Sequence, residues 1–283
     1  MRLRGLVWIT VAAGLLFSVP AAAQQRPLVT QDPEVVGAGV MLIEGGIDYG
    51  RDIFYPWTGL KGDLWRIPVI GLSLGLGSIV EVQLDGGPYN RLTITDRVQA
   101  PLSHQVTATG TTTHDVEDLV FATKIRIVPE TPSHPAFGLR FWTRLPNASQ
   151  ESGIGLNTTD FHGTLLVGKT IRSVRIVGNI GLGILSDPTN AVNQNDVLEY
   201  GTSLARAVKE GIEVVGEING RWSTRGGTPP PGTESRAAMR IGGRLTRGTV
   251  RVDAGLIFGM TAEDPSIGFT AGATYVFKAF NVK

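Results

Sequence analysis

The sequence predicts an all-β fold: an antiparallel transmembrane β-barrel of about 12 strands, with 10 and 14 as the neighbouring counts, short periplasmic turns and longer outer loops. Three observations carry that expectation. Long stretches alternate apolar and polar residues, the connections alternate between short and long, and aromatic residues gather toward one end of the alternating stretches. Composition agrees. The 283 residues include 37 glycines and no cysteine, with 42% apolar and 18% charged residues. A soluble domain carries about 25% charged residues and about 7% glycine, so this chain is charge-poor and glycine-rich. Lys+Arg number 26 against 25 Asp+Glu, a formal net charge of +1, which lacks the basic excess a nucleic-acid binder needs. Without cysteine there is no disulfide framework, thiolate metal site or cysteine nucleophile.

The N-terminus sets the expected compartment. Arg2 and Arg4 form a positive n-region, residues 6–19 an apolar h-region, and Ala21-Ala22-Ala23 a small-residue cleavage site, so residues 1–23 read as a secretory signal peptide. Its apolar run is too short to span a bilayer and ends at Pro20. Its removal leaves 24 basic against 25 acidic residues. Residues 24–35 read as a polar periplasmic lead-in and residues 36–283 as the barrel. Beyond Ala23 no stretch reaches the roughly 18 apolar residues of a membrane helix, so the exported chain is either soluble or crosses the membrane as strands.

The strands follow in order. Residues 36–49, 63–75 and 78–95 make the first three, and Pro68 and Gly86-Gly87-Pro88 predict bulges or breaks in them. Residues 116–128, 136–145 and 160–170 come next. Residues 172–186 set Val174, Ile176, Ile180, Leu182 and Ile184 against Ser173, Arg175, Asn179, Gly181 and Gly183. After residues 197–208, residues 211–223 interleave Ile212, Val214, Ile218 and Trp222 with Glu213, Glu217, Asn219 and Arg221. Residues 235–247 lead into 248–261, where Val250, Val252, Leu256 and Phe258 alternate with Arg251, Asp253, Gly255 and Gly259. The last stretch, 266–280, is the clearest: every odd position from Ile267 to Ala279 is apolar, and the even positions are mostly small or polar. These lengths match the roughly 9–11 residues a strand needs to cross a bilayer, where a soluble sandwich would turn sooner.

Short connections fall at 75–78, 129–135, 170–172, 208–211 and 247–248, and longer ones at 50–62, 96–115, 146–159, 187–196 and 224–234, with a briefer one at 262–265. That alternation is the outer-membrane layout with both termini in the periplasm. Phe121, Phe141, Phe161, Tyr200, Trp222, Phe258 and Phe269 share the apolar parity of their strands and lie toward the end nearest a long loop. They describe an interfacial girdle in contact with outer-membrane lipid. The Thr-rich loop 96–115 either folds inward to constrict a pore or projects from the surface.

The stretch RDIFYPWTGLKGDLWRIPVIGLSLGLG, followed by DLVFATKIRIVPE, RFWTRLPNASQESGIGLNTTDF and GNIGLGIL, resembles bacterial outer-membrane proteins of the phenol meta-cleavage (MetA) pathway type. The resemblance covers roughly residues 50–280 and implies a barrel transporter associated with aromatic degradation. Gly272, Tyr275 and Phe277 are spaced like the C-terminal signal read by the barrel-assembly machinery, although the chain ends Phe280-Asn281-Val282-Lys283 rather than on an aromatic residue.

Function would sit on the polar face. Strand parity points Lys124, Arg126, Arg140, Arg144, Arg175, Arg221, Arg240, Arg244 and Arg251 into the lumen, with Asp118, Glu213, Glu217 and Asp253 against them. A wall of guanidinium groups in a narrow aqueous lumen would select anions or fix the polar end of a small-molecule solute. In the other reading these charges pair across neighbouring strands, Glu213 and Glu217 with Arg240 and Arg244, and plug a structural or adhesion barrel. A third reading, an outer-membrane lipid hydrolase, rests on His162 with Thr164 two residues on. A nucleophile–base pair also needs an orienting third group, and the chain lacks the motif of a barrel phospholipase. No cofactor or metal is expected, since the glycine runs belong to strands and no His-x-x-x-His pair occurs.

Overall fold

A computed structural model of the chain describes residues 26–190 and 192–281; the stretch read as a signal peptide lies outside them. A closed antiparallel ring of 12 strands forms the body. β1 (Val40–Tyr55) pairs on one side with β2 (Leu60–Gly75), and on the other with the final strand. From β2 the ring runs through β3 (Val80–Gly86), β6 (Val120–Val128), β7 (Ala136–Arg144), β8 (Asp160–Ile171) and β9 (Val174–Ser186). It continues through β10 (Gln194–Lys209), β11 (Ile212–Ser223), β12 (Arg236–Arg247), β13 (Val250–Gly259) and β14 (Gly268–Lys278). Closure is long, from Val40 opposite Lys278 to Gly50 opposite Gly268.

Two short strands, β4 (Asn90–Arg97) and β5 (Thr112–Asp115), complete the sheet beyond the ring. The stretch 78–95, expected as one strand, is divided. β3 pairs with the Ile70–Gly75 half of β2 and β4 with its Leu60–Arg66 half, so the two are one strand broken at residues 87–89. The physical cause is the pair of prolines: neither Pro68 nor Pro88 has an N–H to donate, and the break falls where both would face the ladder. β5 arises within the 96–115 loop and pairs with β4, which carries this corner of the sheet past the barrel rim. The 50–62 connection is much shorter than expected, because β1 and β2 run on as a hairpin to Tyr55 and Leu60.

The two faces are chemically opposite. Phe141, Leu165, Ile180, Leu204, Ile218, Ile241 and Leu256 are exposed on the outer face, while Lys124, Arg140, Glu217, Arg251 and Asp253 are buried on the inner one. In water this would be inside out. In a bilayer, lipid solvates the apolar face and the closed ladders satisfy the backbone. No helix among the described residues is long and apolar enough to cross a membrane. The aromatic girdle takes shape toward the outer end: Phe121, Phe141, Phe161 and Trp222 are exposed, Tyr200 packs on Trp222 at 4.3 Å, and Phe269 joins Tyr49 and Trp65 across three strands.

Residues 26–36, read from sequence as part of a periplasmic lead-in, run along the inside of the wall. Val36 N–H donates to Glu81 on β3, Glu34 meets Arg126 on β6, and Asp32 meets Arg175 on β9. Gln31 exchanges hydrogen bonds with Asn179, and the Val29 and Thr30 amides donate to Glu217 on β11. Arg26 then reaches Thr270 and the Ala271 carbonyl on β14, with Asp253 and Asp48 each 3.5 Å away. An extended segment can lie this close only where the wall is thin. At Gly272 a Cβ would come within 2.6 Å of Arg26 Nε.

The segment enters the barrel over Gly37, whose positive φ of 90° sets the turn and whose carbonyl presses on Gly75. A methyl group at Gly75 would overlap that carbonyl, whereas one at Gly77 meets nothing within 4 Å. Gly75→Ala should therefore lower stability by about 1–3 kcal/mol, as overpacking does, and Gly77→Ala should leave it unchanged. Urea unfolding of the refolded barrel in detergent, followed by gel mobility, checks both.

Candidate lumen site

Each ring strand contributes alternate side chains to the lumen, and charge is paired there nearly everywhere. Lys124 on β6 and Glu81 on β3 face each other at 3.0 Å with both side chains fully buried. Arg140 donates from Nε to Gln83 at 2.8 Å, and its Nη2 lies 3.7 Å from Asp85. Arg144 donates to Asp160 and stands 3.9 Å from Asp118. Asp118 itself accepts the Asn147 and Ala148 amides, so it ties down the β7–β8 loop. Arg175 forks onto Asp32 with two bonds of 2.7 and 2.8 Å and also reaches Glu130. In its periplasmic turn Glu130 is held below the usual carboxylate range: burial opposes this, and the Thr170 amide together with the Arg175 charge outweighs it.

The β11–β12–β13 side carries the pairing anticipated from sequence. The register sets Glu213 opposite Arg244 and Glu217 opposite Arg240. Arg240 donates to Glu217 at 2.9 Å, and Arg244 and Arg251 approach Glu213 at 3.8 and 3.7 Å. Arg244 also caps the Arg26 carbonyl, and Arg251 donates to Thr246. Asp253 takes Arg26. Arg221 donates to the Glu234 carbonyl at 3.1 Å. The strand positions picked by parity lie on the inner face, Asp118 lies in the connection before β6, and the partners that parity missed are those supplied by β3 and by residues 26–36. Glu34, Asp32, Arg26 and Glu81 complete the compensation. The one available signal was the surplus of cations over acids among the lumen positions chosen from sequence.

His162 does not pair with a hydroxyl. Its ring stacks on Trp142 at 3.4 Å, and its Nδ1 lies 3.0 Å from Glu199. Thr164, two residues on, is buried further along the same strand face.

Space remains between these pairs. An outer cavity of about 310 Å³ lies under a roof made by Trp57, Ile154, Leu156 and Gly232 from three different loops. Loop 96–115 packs onto that roof, with Leu102 buried and its amide bonded to the Trp57 carbonyl. The outer cavity shares Ile53, Glu199, Arg221 and Arg236 with a second of about 390 Å³. The second shares Asp48, Arg66, Arg240 and Ile257 with a third of about 230 Å³. Leu28, on the internal segment, stands between the third and a periplasmic-side cavity of about 480 Å³.

This architecture defines a class: the chain is a transmembrane β-barrel of the outer-membrane type, with a polar lumen and an internal segment narrowing it. Solved structures that share its fold include two outer-membrane proteins. An outer membrane channel from Pseudomonas putida F1 superposes with a TM-score of 0.59 at 14% identity, over 87% of this chain and 98% of that one. The NanC porin superposes with a TM-score of 0.53 at 6% identity, over 83% and 98%. At such identities the likeness is one of fold. No protein-family model and no curated protein matches the sequence.

The Lys124–Glu81 pair tests how far the wall depends on compensation. Removing one partner of a buried ion pair costs about 3–5 kcal/mol. Lys124→Met should lose that much. Lys124→Met combined with Glu81→Gln should lose clearly less than the two single losses summed, since each single substitution leaves a buried charge without its partner and the double one leaves none. Urea titration of the four proteins measures the coupling.

Proposed function

We propose that the chain is a narrow outer-membrane channel for passive uptake of a small solute. The supporting observation is the row of cavities, each sharing lining residues with the next, from the roofed outer mouth to the periplasmic end. The path is lined by paired charges rather than a bare row of arginines. A solute moves along it by exchanging contacts with side chains already held in place, and arginines whose pairing is loosest set an anion preference. Leu28, which lines both the third and the periplasmic-side cavity, is the residue such a solute would have to pass between them. The sequence resemblance adds an aromatic or hydrophobic solute to this reading. Export by the N-terminal signal peptide, and recognition by the barrel-assembly machinery through Gly272, Tyr275 and Phe277, belong to the same proposal; Tyr275 and Phe277 stack on the lipid-facing side. The channel carries out no chemistry.

A second reading, a closed structural barrel, is favoured by the pairing of Arg240 with Glu217 and of Arg244 with Glu213. Planar-bilayer recording under a salt gradient separates the two. The channel reading expects small, stable steps with a reversal potential of anion sign, and a conductance raised about twofold or more by Leu28→Gly, which widens the passage. Replacing both Arg240 and Arg244 by Ser should mainly lower heat stability, because both are paired. A correctly folded barrel that stays silent, with and without Leu28→Gly, would leave the structural reading standing and remove the channel.

A further inference from the structure

We infer that the outer cavity is a binding site for a small organic monocarboxylate with an apolar body, which deepens the channel reading by naming a substrate class. The starting point is an unfavourable placement. The register sets Arg221 directly opposite Arg236 on the inner face, and like charges in that relation repel. Arg221 is met by Glu234, through its carbonyl at 3.1 Å and its carboxylate at 3.9 Å, but that carboxylate also accepts the Gly232 amide. Arg236 has no carboxylate within 4 Å among the described residues, and its Nε is buried without a hydrogen-bond partner. The Arg236 side chain is half-buried, and a buried donor left open on it is costly. The repulsion and the open donor are relieved together by one anion held between the two forks.

The rest of the cavity selects what that anion carries. Both guanidinium groups line the outer and second cavities at their junction. Above them the outer cavity is walled by Tyr55, Trp57, Trp142, Leu156 and Leu185. Its volume of about 310 Å³ lies at the small end of ligand pockets and accommodates a single ring. Planar forks match a carboxylate bidentately, and the aromatic walls take an apolar body. Glu199, which the register places beside Arg221 on the neighbouring strand, lies 3.0 Å from His162, and Asp160 is held by Arg144; their charges disfavour a second negative group on the ligand. The chemistry therefore fits one carboxylate on a compact apolar frame, and fits inorganic anions poorly.

Titration calorimetry on the refolded full-length barrel in detergent tests this with benzoate, its neutral isostere benzamide, and sulfate as competitor. Benzoate should bind, benzamide should bind roughly tenfold more weakly or worse, and sulfate should not compete, as expected for a charge-assisted fork above an apolar wall. Arg236→Gln should weaken benzoate by a similar factor while heat stability stays level or rises, because a like-charge contact is removed. If that variant does not fold, benzoate against benzamide on the unaltered protein decides alone. Equal binding of benzoate and benzamide, displacement by sulfate, or undiminished binding in Arg236→Gln would overturn the site. Because none of these arms needs conduction, a barrel that binds benzoate yet stays silent in a bilayer would sink the channel reading and leave the site, and an open channel indifferent to benzoate would do the reverse.

Discussion

Inside this barrel a charge needs a counter-charge. The lumen is narrow, walled by protein and shielded by a lipid-facing shell, so an isolated ion would lose most of its hydration and gain nothing in return. The wall meets the requirement by register: Glu213 and Glu217 of β11 face Arg244 and Arg240 of β12, and Glu81 of β3 faces Lys124 of β6. These cross-strand pairs lock strand neighbours together from within, while the outer face adds its match to lipid and a few aromatic contacts between strands. The internal segment extends the same rule. Glu34 and Asp32 answer Arg126 and Arg175, and Arg26 answers Asp48 and Asp253.

Two obstacles lie along the axis, and each has a different character. The outer roof is made of loop residues packed on one another, with Trp57 against Gly232 and Leu60 against Gly153. The inner belt is an extended segment held by side-chain contacts to many strands in turn. Between them stand the arginines whose compensation is weakest. In the channel proposed above, a permeant molecule would meet apolar walls first, a cationic pair next, and a mixed, mostly paired lining last. That order would take a solute from partitioning to charge recognition to release.

Much of this was legible in the sequence, for a physical reason. A strand with lipid on one side and a polar lumen on the other repeats every two residues, and that period fixes both the strand and the direction of each side chain. Hence Arg140, Arg240 and Arg251 point where parity put them, and the Glu213 and Glu217 partners follow from counting along a hairpin. The illegible parts lack a period. Residues 26–36 hydrogen-bond through scattered amides to side chains on distant strands, so nothing in their local order marks them as lying within the lumen. The break at 87–89 was visible as a proline signal, but its outcome, two strands sharing β2 end to end, depends on Pro68 across the ladder. The roof depends on loops meeting through Trp57 and Leu102, contacts between segments far apart in the chain.

Arg26 occupies a particular place in the ring. It contacts Asp253 on β13, Thr270 and Ala271 on β14, and Asp48 on β1, which brackets the seam where the first strand meets the last. That arrangement exists only once the sheet has lost its two edges. The internal segment therefore cannot seat fully on a half-built wall. Its final contacts form when the seam does, so the step that ends the exposure of unpaired strand edges also turns a wide nascent cylinder into a constricted one.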